Sequence, residues 1–334
     1  MSNALFEPIL LGDIQLKNRI VLAPMTRFRA DEEGSIANDL LATYYSQRAS
    51  DGGLLISEAT SISEESLFKK SVPGIYTNEQ IAGWKNTLSK VHAKGGKIVL
   101  QLWHIGLPDI NALDDEEIED YIAKFVQGAE NAIEAGFDGV EIHGANSFLI
   151  DQFLNESTNK RTDKYGGSTE NRNRFALKVT EAVISVIGAG KTGIRLSPWA
   201  IDPNNKDVSQ WISLLQSLTP LGLSYAHIIR ETPGVNNEPE TEHILGLRRA
   251  YGGGNLILNR GYVPATAERS VADGSADLIA FGKLFIANPD LVERIRLGRR
   301  LNENADSATF YEAKEGDLSY GYTTYPTWEE EEEE

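Results

Sequence analysis

The apolar run Val140-Glu141-Ile142 stops at His143, turns through Gly144-Ala145 and presents Asn146 three residues after the histidine. A histidine and an asparagine placed where a strand enters a loop can offer two hydrogen-bond donors to one substrate oxygen. Donors fixed in advance stabilise charge that develops on that oxygen in the transition state more than they stabilise the ground state. Two residues further on, Phe148 occupies a place from which a proton donor could serve the same substrate, but a phenyl ring has no proton to give. Chemistry on a polarised oxygen without a neighbouring acid is the first expectation.

The elements that must position these residues alternate short apolar runs with longer amphipathic segments. Eight strands are expected, at Ile20–Met25, Gly53–Ala59, Lys97–Leu102, Gly139–Ala145, Lys191–Pro198, Leu223–Arg230, Asn255–Arg260 and Asp277–Lys283. Most are continuous apolar stretches, the pattern of parallel strands covered on both faces. Helical periodicity fills Asn78–Gly95, Asp114–Gly136 and Gly167–Gly188, with Gly-containing stop signals at the ends of several segments. Eight strand-helix repeats predict an α/β fold of the TIM (β/α)8 barrel type, a single domain over 1–328. Polar residues gather where the strands end: Thr26, Gln101, His104, His143, Asn146, Arg195, Gly261, Gly282 and Lys283. That face is where barrel active sites are built.

Composition narrows the partners. The 334 residues are 41% apolar, contain no cysteine and carry a formal charge of −17, or −11 without Glu329 to Glu334. An acidic surface disfavours nucleic acid and anionic membranes, so a small-molecule substrate is expected. The absence of cysteine excludes disulfides and thiolate metal sites and suits a cytoplasmic protein. No long apolar run predicts a membrane span. The five histidines are dispersed without H-E-x-x-H spacing, so no metal is expected. The glutamate run 329–334 reads as a disordered, solvated tail.

Seven segments together resemble the Old Yellow Enzyme family of flavin ene-reductases. They are Ala23-Pro24-Met25-Thr26-Arg27, Gln101-Leu102-Trp103-His104, the His143/Asn146 segment, Arg161 to Arg172, Gly193 to Pro198, Ala280 to Lys283 with Ile286 to Leu291, and Gly321 to Pro326. The likeness implies FMN bound without a covalent link, NADPH or NADH as reductant, and hydride delivery to an alkene activated by a carbonyl or nitro group. It implies that Pro24, Met25, Thr26 and Ala59 lie along the flavin ring, that Gln101 holds the pyrimidine edge and that Arg195 stabilises the anionic reduced ring. His143 and Asn146 would take the substrate oxygen, with Trp103, His104, Lys69 and Tyr322 around the substrate. Gly261 and Gly282 would let backbone amides approach the phosphate, helped by the short helix near Ile286–Pro289. Lys283 replaces the family's usual arginine, so the bidentate fork is missing there, and Arg260 could compensate. A monomer or weak homodimer is expected.

Four departures from the family pattern qualify the activity. Phe148 stands where the family carries a proton-donating tyrosine, so water would have to deliver the proton. Only Ile105 to Asn111 bridge His104 to the third helix, where the family inserts a lid. Lys69 takes the place of a pocket aromatic, and the loop Trp199–Asp207 is short. Shortened loops, no cysteine, a hexaglutamate end and acids packed at the start of the third helix suggest an engineered, loop-shortened member. Reduction could then be retuned toward non-natural or radical flavin chemistry. The alternatives are a barrel catalyst working without hydride transfer, through Lys69 or a carboxylate, and a flavin-binding scaffold with little turnover.

Overall fold

Strand pairing begins before the first expected strand. In the computed structural model, which describes residues 4–67, 69–199, 207–230, 242–314 and 316–333, β1 (Ile9–Leu11) and β2 (Ile14–Leu16) form an antiparallel hairpin. The strands that follow are β3 (Ile20–Leu22), β4 (Leu54–Ser61), β5 (Lys97–Trp103), β6 (Gly139–Gly144), β7 (Thr192–Leu196), β8 (Tyr225–Ile229), β9 (Leu256–Asn259) and β10 (Leu278–Phe281). They pair in parallel in the order β10-β3-β4-β5-β6-β7-β8-β9, and β9 closes on β10. Almost every residue in them is buried, because side chains point alternately into the barrel and against the outer helices. The architecture is the TIM (β/α)8 barrel.

The helices are α1 (Asp39–Arg48), α2 (Asn78–Ala93), α3 (Asp115–Ala135), α4 (Leu149–Leu154), α5 (Thr169–Ile187), α6 (Ser209–Leu218), α7 (Glu242–Ala250), α8 (Pro264–Ala272), α9 (Lys283–Ala287), α10 (Leu291–Leu297) and α11 (Trp328–Glu333). Local chemistry sets several ends. Thr77 and Gln80 exchange capping bonds at α2, as Asp114 and Glu117 do at α3. Gly136 ends α3 at a φ of 108°, a conformation that costs glycine little.

The hairpin plugs one end of the barrel. Leu11, Ile14 and Leu16 pack in one apolar cluster with the barrel residues Val21, Leu54, Ile56, Val99, Ile257 and Leu278. The Asp13 amide donates to the Gly190 carbonyl (2.9 Å), and the Ser224 hydroxyl donates to the Leu11 carbonyl (3.0 Å), both just before barrel strands begin. Each buried aliphatic side chain contributes roughly 1.5–3 kcal/mol. With the strand-start end sealed, the opposite end is left for a ligand.

Two expectations need correction. The described part of the acidic run is not a loose tail, since residues 329–333 lie within α11. Thr327 and Glu330 exchange capping bonds, the Trp328 amide donates to Asp290 (2.8 Å) and Glu331 pairs with Arg294 (2.9 Å). Acids in a first helical turn face the positive end of the helix, which favours this outcome. The short helix near the eighth barrel strand begins at Lys283, earlier than the expected Ile286–Pro289. Of the Trp199–Asp207 loop, residues 200–206 lie outside the described residues. Among the described residues no helix is long and apolar enough to cross a membrane.

Gly193 on β7 sits beside Tyr225 on β8, and a β-carbon added there would lie 2.4 Å from the tyrosine ring. Gly193→Ala is expected to cost about 1–3 kcal/mol through overpacking. Differential scanning calorimetry should show a melting temperature lowered by several degrees, and an unchanged one would contradict this packing.

Candidate active site

A cavity of ≈ 860 Å³ opens at the C-terminal ends of the barrel strands, toward the upper end of the roughly 300–1,000 Å³ common for ligand pockets. Pro24, Met25 and Thr26 after β3 and Ala59 of β4 line one side of it. Gln101 and Trp103 of β5, with His143, Asn146 and Phe148 at and beyond the end of β6, line another. Arg195 of β7 joins them, and Arg260, Gly282 and Lys283 lie where β9 and β10 end. Residues spread over more than 250 positions of sequence meet in one space because each sits at the same end of its strand.

The polar groups at this mouth are fixed from below. His143, Arg195 and His227 occupy neighbouring register positions on β6, β7 and β8. Arg195 donates to the Asn259 side-chain oxygen (2.9 Å), and the Asn259 amide nitrogen donates to the Ala280 carbonyl (2.8 Å). Its Nε is buried with no protein partner, an orphaned donor on a residue of the cavity wall. Burial, and then the nearby Arg195 cation, hold the His143 imidazole well below its usual pKa, so it is neutral near neutral pH. The Ala145 amide donates to His143 Nδ1 (3.3 Å). That nitrogen is therefore the acceptor, and Nε2 carries the proton.

The turn after β6 is strained and clamped. Asn146 and Ser147 both adopt left-handed φ values, 60° and 64°, at a cost of about 1–2 kcal/mol for a residue with a β-carbon. The Asn146 amide donates to the Ser197 hydroxyl (2.7 Å) and the Ser147 amide to the Asp151 carboxylate (2.8 Å). Asn146 thereby stays exposed at the cavity wall. Phe148 makes edge-to-face contacts with His143 and Trp103 at centroid distances of 5.0 and 5.3 Å. It presents hydrocarbon to the cavity.

Four residues expected at the site lie off the cavity wall. His104 is buried against Tyr121 of α3 (5.1 Å), and its Nδ1 accepts from the Gly106 amide (3.0 Å), so the ring turns outward from the barrel. Tyr322 is fully buried, stacked on Tyr44 at 4.2 Å. Lys69 is exposed and caps the outer side of the Phe28 ring, with Nζ 5.1 Å from the centroid. Gly261 follows Arg260 as the second of two positive-φ residues, one step behind the wall. The Arg161–Arg172 segment also brings no residue to the cavity. It builds the approach to α5: Arg161 pairs with Asp163 and donates to the Ile110 carbonyl (2.7 Å) and the Leu113 carbonyl (2.8 Å).

The cavity also has walls that were not anticipated. Phe310 and Tyr311 come from the segment after α10. Arginines hold that segment by its carbonyls. Arg27 donates to Phe310 and Gly321, Arg29 to Leu318 and Glu312, and Arg48 to Tyr322. Distance in sequence hid this, since an arginine's partner carbonyl leaves no mark on composition. The short connection after β5 is likewise tied down: Gln152 of α4 accepts from the Leu107 amide (3.0 Å) and donates to the Leu107 carbonyl (2.9 Å). Among the described residues no group of three His, Asp or Glu could hold a metal.

A sequence model of the NADH:flavin oxidoreductase / NADH oxidase family matches residues 4–109 and 107–302. The break between the two matches falls in the short connection after β5. The chain is 41% identical over 366 aligned positions to 12-oxophytodienoate reductase 1 of Oryza sativa subsp. japonica, covering 99% of this chain and 94% of the relative. It is 38% identical over 382 positions to a flavin oxidoreductase of Emericella nidulans, covering 96% and 97%. Both alignments are longer than the 334-residue chain, so the relatives carry insertions that it lacks. Among solved structures, morphinone reductase in complex with tetrahydroNAD superposes with a TM-score of 0.87 at 39% identity over 97% of both chains.

Two buried carboxyls frame this site, Glu58 beside Ala59 and Asp151 beneath the clamped turn. Burial pushes each up to about 7, from ordinary values of 4.5 and 3.8. The folded state therefore binds their protons more tightly than the unfolded chain does. Their stabilisation is fully present below the ordinary values and is lost as pH rises through about 7. Melting temperatures followed from about pH 5 to about pH 8 should fall more steeply in the parent than in a Glu58→Gln/Asp151→Asn double variant. Parallel curves would sink the assignment.

Proposed function

The chain belongs to the NADH:flavin oxidoreductase / NADH oxidase family, and from that premise we propose that it reduces alkenes activated by a carbonyl or nitro group, with the substrate oxygen held by His143 and Asn146. It is an FMN-dependent ene-reductase that draws on a nicotinamide reductant. Bound FMN supplies the hydride relay between the nicotinamide and the alkene carbon.

The residues present suit FMN. Arg195 offers a buried cation whose Nε has no protein partner, and Gln101 stands on the same wall. Gly282 leaves room at the wall beside two exposed cations, Lys283 and Arg260, for a phosphate. Thr26, Gln101 and Arg195 would hold the ring, and Arg260, Gly282 and Lys283 the phosphate end. Lysine gives charge without a bidentate fork, so the phosphate is held more loosely than by arginine.

One observation carries the reading of the substrate end: a neutral imidazole with its proton on Nε2 shares the cavity wall with the strained, clamped Asn146. The imidazole donor is fixed before the substrate arrives, and the clamped backbone at Asn146 sets its side-chain amide on the same wall. They stabilise negative charge as it builds on a carbonyl or nitro oxygen. Phe148 excludes water from one side of His143 by packing, yet has no acid to offer. The proton that completes reduction then comes from solvent. A site without that acid fits the non-natural or radical flavin chemistry that the phenylalanine suggests.

Anaerobic NADPH or NADH should bleach the visible absorbance of the FMN-loaded protein, and an enone should restore it. A protein that takes up no FMN, or stays oxidised, would overturn the reading. His143→Ala should lower kcat/KM for the enone about 10²–10³-fold while FMN stays bound. In deuterated buffer the parent should place deuterium on the α-carbon with low facial preference, and Phe148→Tyr should sharpen it. Identical deuterium patterns would rule out the proton argument.

A further inference from the structure

Under the cavity, Glu141 lies in register with Gln101 on β5 and is completely buried without lining the cavity. One of its oxygens accepts from Gln101 Nε2 at 2.7 Å, and the other lies 2.9 Å from His227 Nδ1. A carboxylate only accepts, so the Gln101 amide has its nitrogen turned toward Glu141 and its carbonyl oxygen turned away. The wall thus offers a hydrogen-bond acceptor of fixed orientation beside the Arg195 cation.

Glu141 also settles the charge of this layer. Burial alone would raise its pKa, but His227, Arg195 and Gln101 outweigh burial and leave it below the usual carboxylate range. Burial holds His143 below the usual histidine value, so it is uncharged near neutral pH, while at His227 the pull of Glu141 works against burial. Arg195 is anchored by the neutral Asn259, and Glu141 is the charged group that opposes the effect of burial on it. An arginine stays protonated in such a place. What a bound ring meets is therefore the field of Arg195 reduced by that of Glu141.

We propose that Glu141 is a positioning residue for the flavin, fixing the Gln101 amide toward its edge and setting the potential at which it is reduced. The proposal rests on the FMN reading above. Two substitutions separate the two roles. In Glu141→Gln the amide oxygen still accepts from Gln101, so orientation is kept while the charge is lost. In Glu141→Leu both are lost.

Glu141→Gln should bind FMN nearly as the parent does, yet have a more positive midpoint potential, because Arg195 then stabilises the anionic reduced ring without opposition. The expected change is on the order of tenfold in the reduced-to-oxidised ratio, about 30 mV for a two-electron couple. Dye-equilibrated anaerobic titration reads it. Glu141→Leu should also weaken FMN binding by roughly tenfold, the size of one lost charge-assisted hydrogen bond, read by quenching of flavin fluorescence on the apoprotein. Far-UV circular dichroism checks that each variant folds, and should the leucine variant fail to fold, the potential of Glu141→Gln alone decides. A potential in Glu141→Gln that is unchanged or more negative overturns the proposal. Failure of the parent itself to bind FMN would instead overturn the functional reading.

Discussion

A guanidinium buried at the mouth of a barrel has to be answered by oxygen acceptors and by negative charge. Much of this structure follows from answering Arg195. Asn259 accepts from it and is itself held by the Ala280 carbonyl. Glu141 supplies the charge one layer below, and its two oxygens are shared between Gln101 and His227. The cation in turn helps to keep His143 neutral, which leaves that ring a donor with its proton on Nε2. Five strands, β5 to β9, are thus joined by side-chain chemistry as well as by their backbone ladders. A change in any member of the set is felt by the others through a medium in which charges are poorly screened.

The fold was legible because its signals are local. Continuous apolar runs marked the barrel strands, and the expected helices Asn78–Gly95, Asp114–Gly136 and Gly167–Gly188 end within two residues of α2, α3 and α5. Much of the cavity wall was legible because polar residues at strand ends stand out against apolar sequence, as Gln101, His143 and Arg195 do. The hairpin was missed although Gly12-Asp13 between alternating residues is a turn signal. Three-residue strands give too little pattern to register. Phe310, Tyr311 and the arginine-carbonyl bonds were missed for another reason. Their partners are hundreds of residues away and act through the backbone, which sequence does not spell. His104 and Tyr322 mark the opposite error: polar atoms near a site were read as part of it, but packing turned them elsewhere.

Shortness after β5 takes on a different meaning in the structure. The connection from Trp103 to α3 is organised by a 3-10 turn at Ile110–Ala112, by the paired bonds of Gln152 and by Arg161. Trp103 and Ile105 still reach the cavity from it. A loop with its own hydrogen bonds leaves few backbone groups unpaired, so a connection this short leaves no exposed, unsatisfied stump. The short connection after β5 is therefore a stable feature of the surface.

The segment that carries Phe310 and Tyr311 is gripped through main-chain carbonyls at Thr309, Phe310, Glu312, Leu318, Gly321 and Tyr322. Carbonyls are the same whatever side chain they accompany. Arg27, Arg29 and Arg48 consequently hold the path of the segment through its backbone. The exposed Tyr311 can be exchanged there without losing these carbonyl bonds, so this part of the pocket wall is free to diverge while the barrel, the buried polar layer and the donor turn stay as they are.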